Sequence, residues 1–228
     1  MITQRDQVRP SGAMRGAGSG FIGCLLLITS QAEAAELVMR DLQAVVTTQP
    51  TAFDFTLATP TFTRTASDSF DSGTALALGG RYSLARVGDP FGVIVGVDAT
   101  TAAYSYGSQD FMFNYGGRGS LGLGYALTDD WTITGECGLS YGRSHLSLPA
   151  GNAAPAFSAN GAYRAYDARL VCFYRFAKQL SVSVQAGYVV NSYDLTTNAN
   201  DSLTLAQQGP CIGFGLTWRI SNAPERVE

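Results

Sequence analysis

The stretch GSLGLGYALTDDWTITGECGLSYG, residues 119–142, decides the fold. Large side chains stand at every second place on both sides of Thr128-Asp129-Asp130: Leu121, Leu123, Tyr125 and Leu127 before it, then Trp131, Ile133, Cys137, Leu139 and Tyr141. Between them stand Gly122, Gly124, Ala126, Thr132, Thr134, Gly138 and a single carboxylate, Glu136. Alternation with period 2 sends successive side chains to opposite faces of a strand, and a polar break between two such runs is a turn. The stretch therefore reads as a β-hairpin with one apolar face and one face of small and polar residues.

The same alternation recurs along the chain. Residues 74–86 set Leu76, Leu78, Tyr82 and Leu84 against Ala75, Ala77, Gly79, Arg81 and Ser83, and residues 91–104 set Val93, Val95 and Val97 against Gly92, Ile94, Gly96 and Asp98. Residues 115–127 carry Arg118 among the small residues, residues 166–176 carry Asp167 and Arg169, and residues 180–191 and 211–220 repeat the scheme. Short links (87–90, 128–130, 177–179) alternate with long polar ones (105–113, 145–162, 192–208). Seven strands joined this way require an eighth at the start. Residues 51–64, where Phe53, Phe55 and Leu57 alternate with Asp54, Thr56 and Ala58, are the candidate, with Pro60 at a bulge. The expected fold class is all-β: an eight-stranded antiparallel up-and-down barrel.

Size fixes which face is outside. Eight strands enclose a space just wide enough for side chains, so the small residues and a few long polar ones belong within, and the Leu/Val/Tyr faces belong outside. An apolar exterior around a polar interior is the pattern of a transmembrane β-barrel. Eleven residues at ~3.4 Å each, tilted near 40°, give about 25 Å, the height of the lipid-facing band. Charged residues make up only 14% of the chain, too few to wet a whole surface.

Export is expected as well. Arg5, Arg9 and Arg15 precede the short apolar run Phe21 to Ile28, and Ala32-Glu33-Ala34 offers a cleavage site. Residues 1–34 are read as a signal peptide, with Met14 as a second possible start; 35–50 as a short N-terminal periplasmic segment, with a helix in the barrel mouth and an extra strand as the alternatives; 51–220 as the barrel; 221–228 as a tail. Without residues 1–34 the chain holds 12 basic and 16 acidic residues and no basic block, which argues against nucleic acid as a partner. Cys137, Cys172 and Cys211 lack metal-ligand spacing, so no metal or other cofactor is expected. Cys137 and Cys172 are read as free lipid-facing thiols at similar heights.

Two sets of side chains stand out. Arg81, Asp98, Arg118, Glu136 and Arg169 share the inward parity at similar heights, and charges in a narrow lumen must be paired. Glu136 and Asp98 are expected to pair with Arg81, Arg118 and Arg169 as a plug. Aromatic residues gather at both ends of the apolar faces: Tyr125, Trp131, Tyr174 and Trp218 toward the short turns, Tyr104, Tyr115, Tyr141, Tyr166 and Tyr188 toward the long links. Such girdles mark the two interfaces of a membrane.

In strand pattern, turn asymmetry, girdles and charged lumen, residues 51–220 resemble the small eight-stranded outer-membrane barrels of the OmpA and OmpX kind. The resemblance implies a monomeric protein of the bacterial outer membrane, inserted by the barrel assembly machinery, although Trp218 lies ten residues inside the C-terminus where that family usually ends on an aromatic. It also implies a structural or surface-interaction role, with the long links contacting lipopolysaccharide, cells or host molecules. Arg143, His145 and Arg164 lie just beyond the outer girdle and are candidates for lipid phosphate contact. A narrow ion or small-solute channel is the alternative. His145-Leu146-Ser147 resembles the His-x-Ser pair of the lipid A deacylase family, but the next acidic residue, Asp167, has the wrong parity to complete a triad. A non-enzymatic role is the expectation.

Overall fold

The computed structural model describes residues 36–85, 90–106, 110–128, 130–148 and 157–220. The expected signal peptide and C-terminal tail lie outside these residues. Ten strands account for most of the described chain: β1 (Glu36–Thr48), β2 (Ala52–Ala58), β3 (Thr63–Ser69), β4 (Ser72–Ala85), β5 (Phe91–Tyr106), β6 (Asp110–Ala126), β7 (Trp131–Leu148), β8 (Phe157–Ala177), β9 (Leu180–Thr197) and β10 (Ser202–Arg219).

Eight of them form a closed antiparallel ring in the order β1-β4-β5-β6-β7-β8-β9-β10, with β10 returning to β1 from Asp41 opposite Arg219 to Thr47 opposite Gly213. Closure matters because a sheet edge in hydrocarbon would leave backbone groups without partners. The hairpin read from residues 119–142 is the β6–β7 pair, in register from Phe111 opposite Ser147 to Ala126 opposite Thr132.

The first strand differs from expectation. Of the readings open for residues 36–50, the extra strand is the one found, in place of the periplasmic segment: residues 36–48 are the wall strand β1, and residues 51–64 span β2, a turn and the start of β3. β2 joins β10 in the same register as β1, from Gln207 opposite Phe53 to Ser202 opposite Ala58. β1 and β2 are thus one line of strand interrupted at Pro50, which that register sets against Pro210. Neither proline carries an N–H, so the ladder has no bond to make there. Thr48 repairs part of the gap: its Oγ1 accepts from Ile212 N at 3.0 Å and donates to Ile212 O at 3.2 Å.

Across the lipid band the outward residues are Leu78, Val97, Leu123, Leu139, Leu170, Val184 and Phe214, all exposed. One girdle carries Tyr125, Trp131, Tyr174 and Trp218, with ring centroids 4.6 Å apart for Phe91–Tyr125 and 4.7 Å for Trp131–Tyr174. Tyr115, Tyr141, Tyr166 and Tyr188 form the other. Tyr104 does not belong to it: it shares parity with Asp98, so it points inward and is only 2% exposed. Cys137 and Cys172 are free, but they are not at one height. Cys172 faces Ile133, four residues from Cys137, which is ~13 Å along the strand.

Beyond the outer girdle the polarity reverses. Met112, Leu146, Tyr163, Tyr193, Leu195, Leu203 and Leu205 point inward and are buried, while Asn160, Arg164, Ser192, Asp194, Thr196 and Thr204 are exposed. β2 obeys this second rule, with Phe53, Phe55 and Leu57 packed on the inner cluster. β9 shows the exchange within one strand, where Val184 and Tyr188 face out and Tyr193 and Leu195 face in. A strand leaving hydrocarbon for water must carry its apolar side chains on the opposite face. The links expected over 145–162 and 192–208 are therefore largely wall: β7 runs to Leu148, β8 starts at Phe157, and β9 and β10 approach to a turn at 198–201. Asn200 takes the left-handed conformation there (φ 65°), which asparagine tolerates.

Candidate functional site

The alternation read from sequence aims one charged side chain inward from each of several neighbouring strands. Register brings them level: Asp98 faces Arg118, Glu136 faces Arg169, and Gly138 faces Asp167. Arg81 on β4 forks onto Glu136 on β7, its Nη1 meeting Oε1 and its Nη2 donating to Oε2 at 2.9 Å. Its Nε donates to Gln43 Oε1 at 2.7 Å, and Gln43 Nε2 donates to Asp98 Oδ1 at 2.8 Å. Arg118 donates from Nη1 to Asp98 Oδ2 at 3.2 Å, and from Nε and Nη2 to Asp167 at 2.9 and 2.7 Å.

Arg169 ends the chain of contacts, with Nε 2.8 Å from Asp167 Oδ1 in an ion pair whose angle is not that of a hydrogen bond. Thr134 Oγ1 donates to Glu136 at 2.9 Å, and the Arg81 guanidinium lies 4.9 Å from the centre of the Phe173 ring. Three arginines meet three carboxylates, so the layer is neutral as a unit and its charges are compensated out of water.

The glycines make room for this. A Cβ built on Gly138 would stand 2.6 Å from Arg118 Nε and Nη2 and from Asp167 Oδ2. Gly138→Val is expected to shift the Arg118–Asp167 fork and lower stability by ~1–3 kcal/mol, the usual cost of overpacking, as measured by urea unfolding. A stability equal to wild type would mean that the fork is not confined as described.

All five expected lumen residues lie in this layer, but their pairing differs. Arg169 joins Asp167, an acid of inward parity left out of the expected set, rather than Glu136 or Asp98. Gln43 is absent from the expected set because a periplasmic segment, rather than a strand, is the preferred reading of residues 35–50. Its signal was present, for Gln43, Val45 and Thr47 alternate with Leu42, Ala44 and Val46.

A second layer closes the barrel above the first. Tyr193 OH donates to Gln207 Oε1 at 2.9 Å and accepts from Asn114 Nδ2 at 3.1 Å, while Asn191 Nδ2 donates to Tyr104 OH at 3.3 Å. Around them pack Phe70, Met112, Leu146 and Leu205. At the other end a recess is lined by Asp41, Asp130, Arg175 and Arg219, with Arg175–Asp130 at 3.4 Å and Arg219–Asp41 at 3.9 Å. Among the described residues no group of three or more His, Cys, Asp or Glu is placed to hold a metal ion.

The three outer-rim residues stand on the outward face directly above the girdle. Arg143 is exposed and faces Tyr115 and Ala162 across its two ladders. Arg164 faces Tyr141 and lies 3.9 Å from Asp194, an exposed pair of little energetic weight. His145 Nδ1 is 2.5 Å from Asn160 Oδ1.

A closed ring of eight strands, an apolar outer band between two aromatic girdles and a paired charged interior define an integral outer-membrane β-barrel of the small kind. No family model matches the chain, and no curated protein matches it. Among solved structures it is similar to the Neisserial surface protein A (12% identity, 81% of this chain and 99% of that one, TM-score 0.44). It is also similar to the outer membrane protein OprG of Pseudomonas aeruginosa (11% identity, 80% and 96%, TM-score 0.43). A third is Ail, the attachment invasion locus protein of Yersinia pestis, in complex with the heparin analogue sucrose octasulfate (10% identity, 80% and 100%, TM-score 0.36). The fold assignment rests on the ring itself.

Proposed function

We propose that this protein is a non-enzymatic surface barrel: a plugged membrane cylinder that holds a folded β-extension outside the cell, where its outward face meets lipopolysaccharide and external ligands. The observation that carries the reading is the double closure of the lumen, a neutral ion layer under a Tyr/Asn/Gln and apolar layer. A pore needs a continuous wet path, and both layers consist of buried side chains bonded to one another. Reconstituted in planar bilayers, the protein is expected to stay electrically silent; steady unit conductance abolished by Arg118→Ala would establish the channel reading instead.

Arg143 and Arg164 supply the lipid contact in this proposal, since guanidinium groups just above a tyrosine girdle meet phosphate at the headgroup level. Each charge is worth ~1 kcal/mol near an anionic surface, so Arg143→Glu and Arg164→Glu should each weaken lipopolysaccharide binding by about fivefold or more. Unchanged binding to both variants would remove them from the site.

A further inference from the structure

Above the girdle the outward residues of β8, β9, β10, β2 and β3 lie in cross-strand rows set by register. Directly over Tyr166 and Val190, one row runs from Arg164 through Ser192, Ala206 and Asp54 to Ser67. The next runs from Ala162 through Asp194, Thr204 and Thr56 to Thr65, and Thr196 and Ser202 belong to a third. Neighbouring strands stand ~4.8 Å apart and same-face residues ~6.8 Å along a strand, so the three rows tile a face ~19 Å wide and ~14 Å tall.

Apart from Arg164 at one corner, the first two rows hold only Ser, Thr, Asp and Ala, all exposed save the half-buried Thr56 and Ala162. Bonds within the face hold its polar groups in place. The Thr56 and Thr65 hydroxyls are 3.1 Å apart, and Ser67 Oγ donates to Asp54 Oδ1 at 2.5 Å. Short side chains steadied by their neighbours lose little freedom when a ligand orders them.

Composition decides what such a face can bind. Protein interfaces centre on aromatic or arginine anchors set in apolar pockets, and rows of hydroxyls supply no such centre. A polyanion is not attracted, since Asp54 and Asp194 outnumber Arg164. A second copy stacked on the face would bury no large apolar side chain. The match is a ligand rich in hydroxyls and without net charge, because each Ser or Thr oxygen both donates and accepts, and the two carboxylates accept from ligand hydroxyls.

We propose that this face is a carbohydrate-binding surface that takes the sugar chain of lipopolysaccharide in the protein's own outer leaflet. The face lies on the side wall and begins immediately above the tyrosine girdle, where a sugar chain leaves its lipid. Hydrogen bonds without an aromatic anchor bind weakly, which releases a dilute ligand from outside but holds a sugar presented at high effective concentration by the same membrane. The inference deepens the surface-barrel reading and rests on its placing the extension outside the cell. Its test uses neither conductance nor the phosphate contacts of Arg143 and Arg164, so either reading can fail alone.

Full-length protein in phosphatidylcholine nanodiscs should bind lipid-free, dephosphorylated core oligosaccharide saturably, with a Kd of about 1 mM by saturation-transfer NMR. Asp54→Ala should weaken binding about tenfold and Thr204→Val about fivefold, the loss of a charged and of a neutral hydrogen bond. Thr74→Val, at an exposed threonine of β4 away from the rows, should leave it unchanged. Purified from cells that make both forms, wild type should retain core-bearing lipopolysaccharide over lipid A alone, and an Asp54→Ala/Thr204→Val double variant should retain the two alike. Dextran and heparin, as ligands from outside, should bind at least about tenfold more weakly than the core sugar. Heat-modifiable gel mobility certifies the fold of each variant, and Thr204→Val carries the test if Asp54→Ala fails to fold. No saturable binding, unchanged affinity in the face variants, an equal loss in Thr74→Val, no preference for the core-bearing form, or tighter binding of dextran or heparin would each overturn the proposal.

Discussion

Glu136→Ala should lower the stability of the folded barrel by ~3–5 kcal/mol, the cost of stranding one member of a buried ion pair. Arg81 is 5% exposed and directs two donors at the lost carboxylate; with Glu136 gone it keeps Gln43 and the Phe173 face, neither of which carries a full negative charge. Urea unfolding followed through Trp131 and Trp218, which leave the girdle on unfolding, reads the loss. An Arg81→Met/Glu136→Leu double variant, which removes both charges and keeps the volume, should return close to wild type. A single-variant loss below about 1 kcal/mol would mean that water reaches the layer and that the barrel is less firmly plugged than its geometry indicates.

The second large effect concerns the two polarity rules. Leu123→Arg puts a charge on the lipid face near mid-band and should destabilise by ~2–4 kcal/mol. Thr204→Arg, on the outward face of β10 above the girdle, should change stability by no more than ~0.5 kcal/mol, because that position is exposed and lies in water. Equal losses at the two sites would place the membrane boundary higher than the upper tyrosines. Equal tolerance would remove the lipid band altogether.

The hairpin at residues 119–142 was fully legible because every signal in it agrees: parity, glycine placement, a turn at 128–130 and a lone acid among small residues. Strands that stay within the lipid band were legible for the same reason, and so was the inward parity of Arg81, Asp98, Arg118, Glu136 and Arg169. What escaped reading was everything governed by the opposite rule. Residues 145–148, 157–162 and 192–208 look like polar loop when only apolar-out strands are sought, yet they alternate with the apolar face turned in. Tyr104 was misplaced by being counted for its type rather than its parity. β1 stayed one of three readings for residues 36–50 because its apolar face, Leu42, Ala44 and Val46, is short, and because Phe53, Phe55 and Leu57 offer a louder pattern nearby. The partner of Arg169 depended on which of several inward acids lay within reach, and that is fixed by ring closure rather than by any local run of residues.

The paired prolines at the β1–β10 seam have a mechanical consequence. Force applied to the extension, as when a bound particle is dragged by flow, passes into the cylinder along β7, β8, β9 and β10, which cross the boundary without interruption. The first hairpin is jointed at that height on both of its arms, at Pro50 between β1 and β2 and at Phe70-Asp71 between β3 and β4. Under load it should yield there first, letting the β2–β3 tip swing while the ring within the membrane keeps its shape.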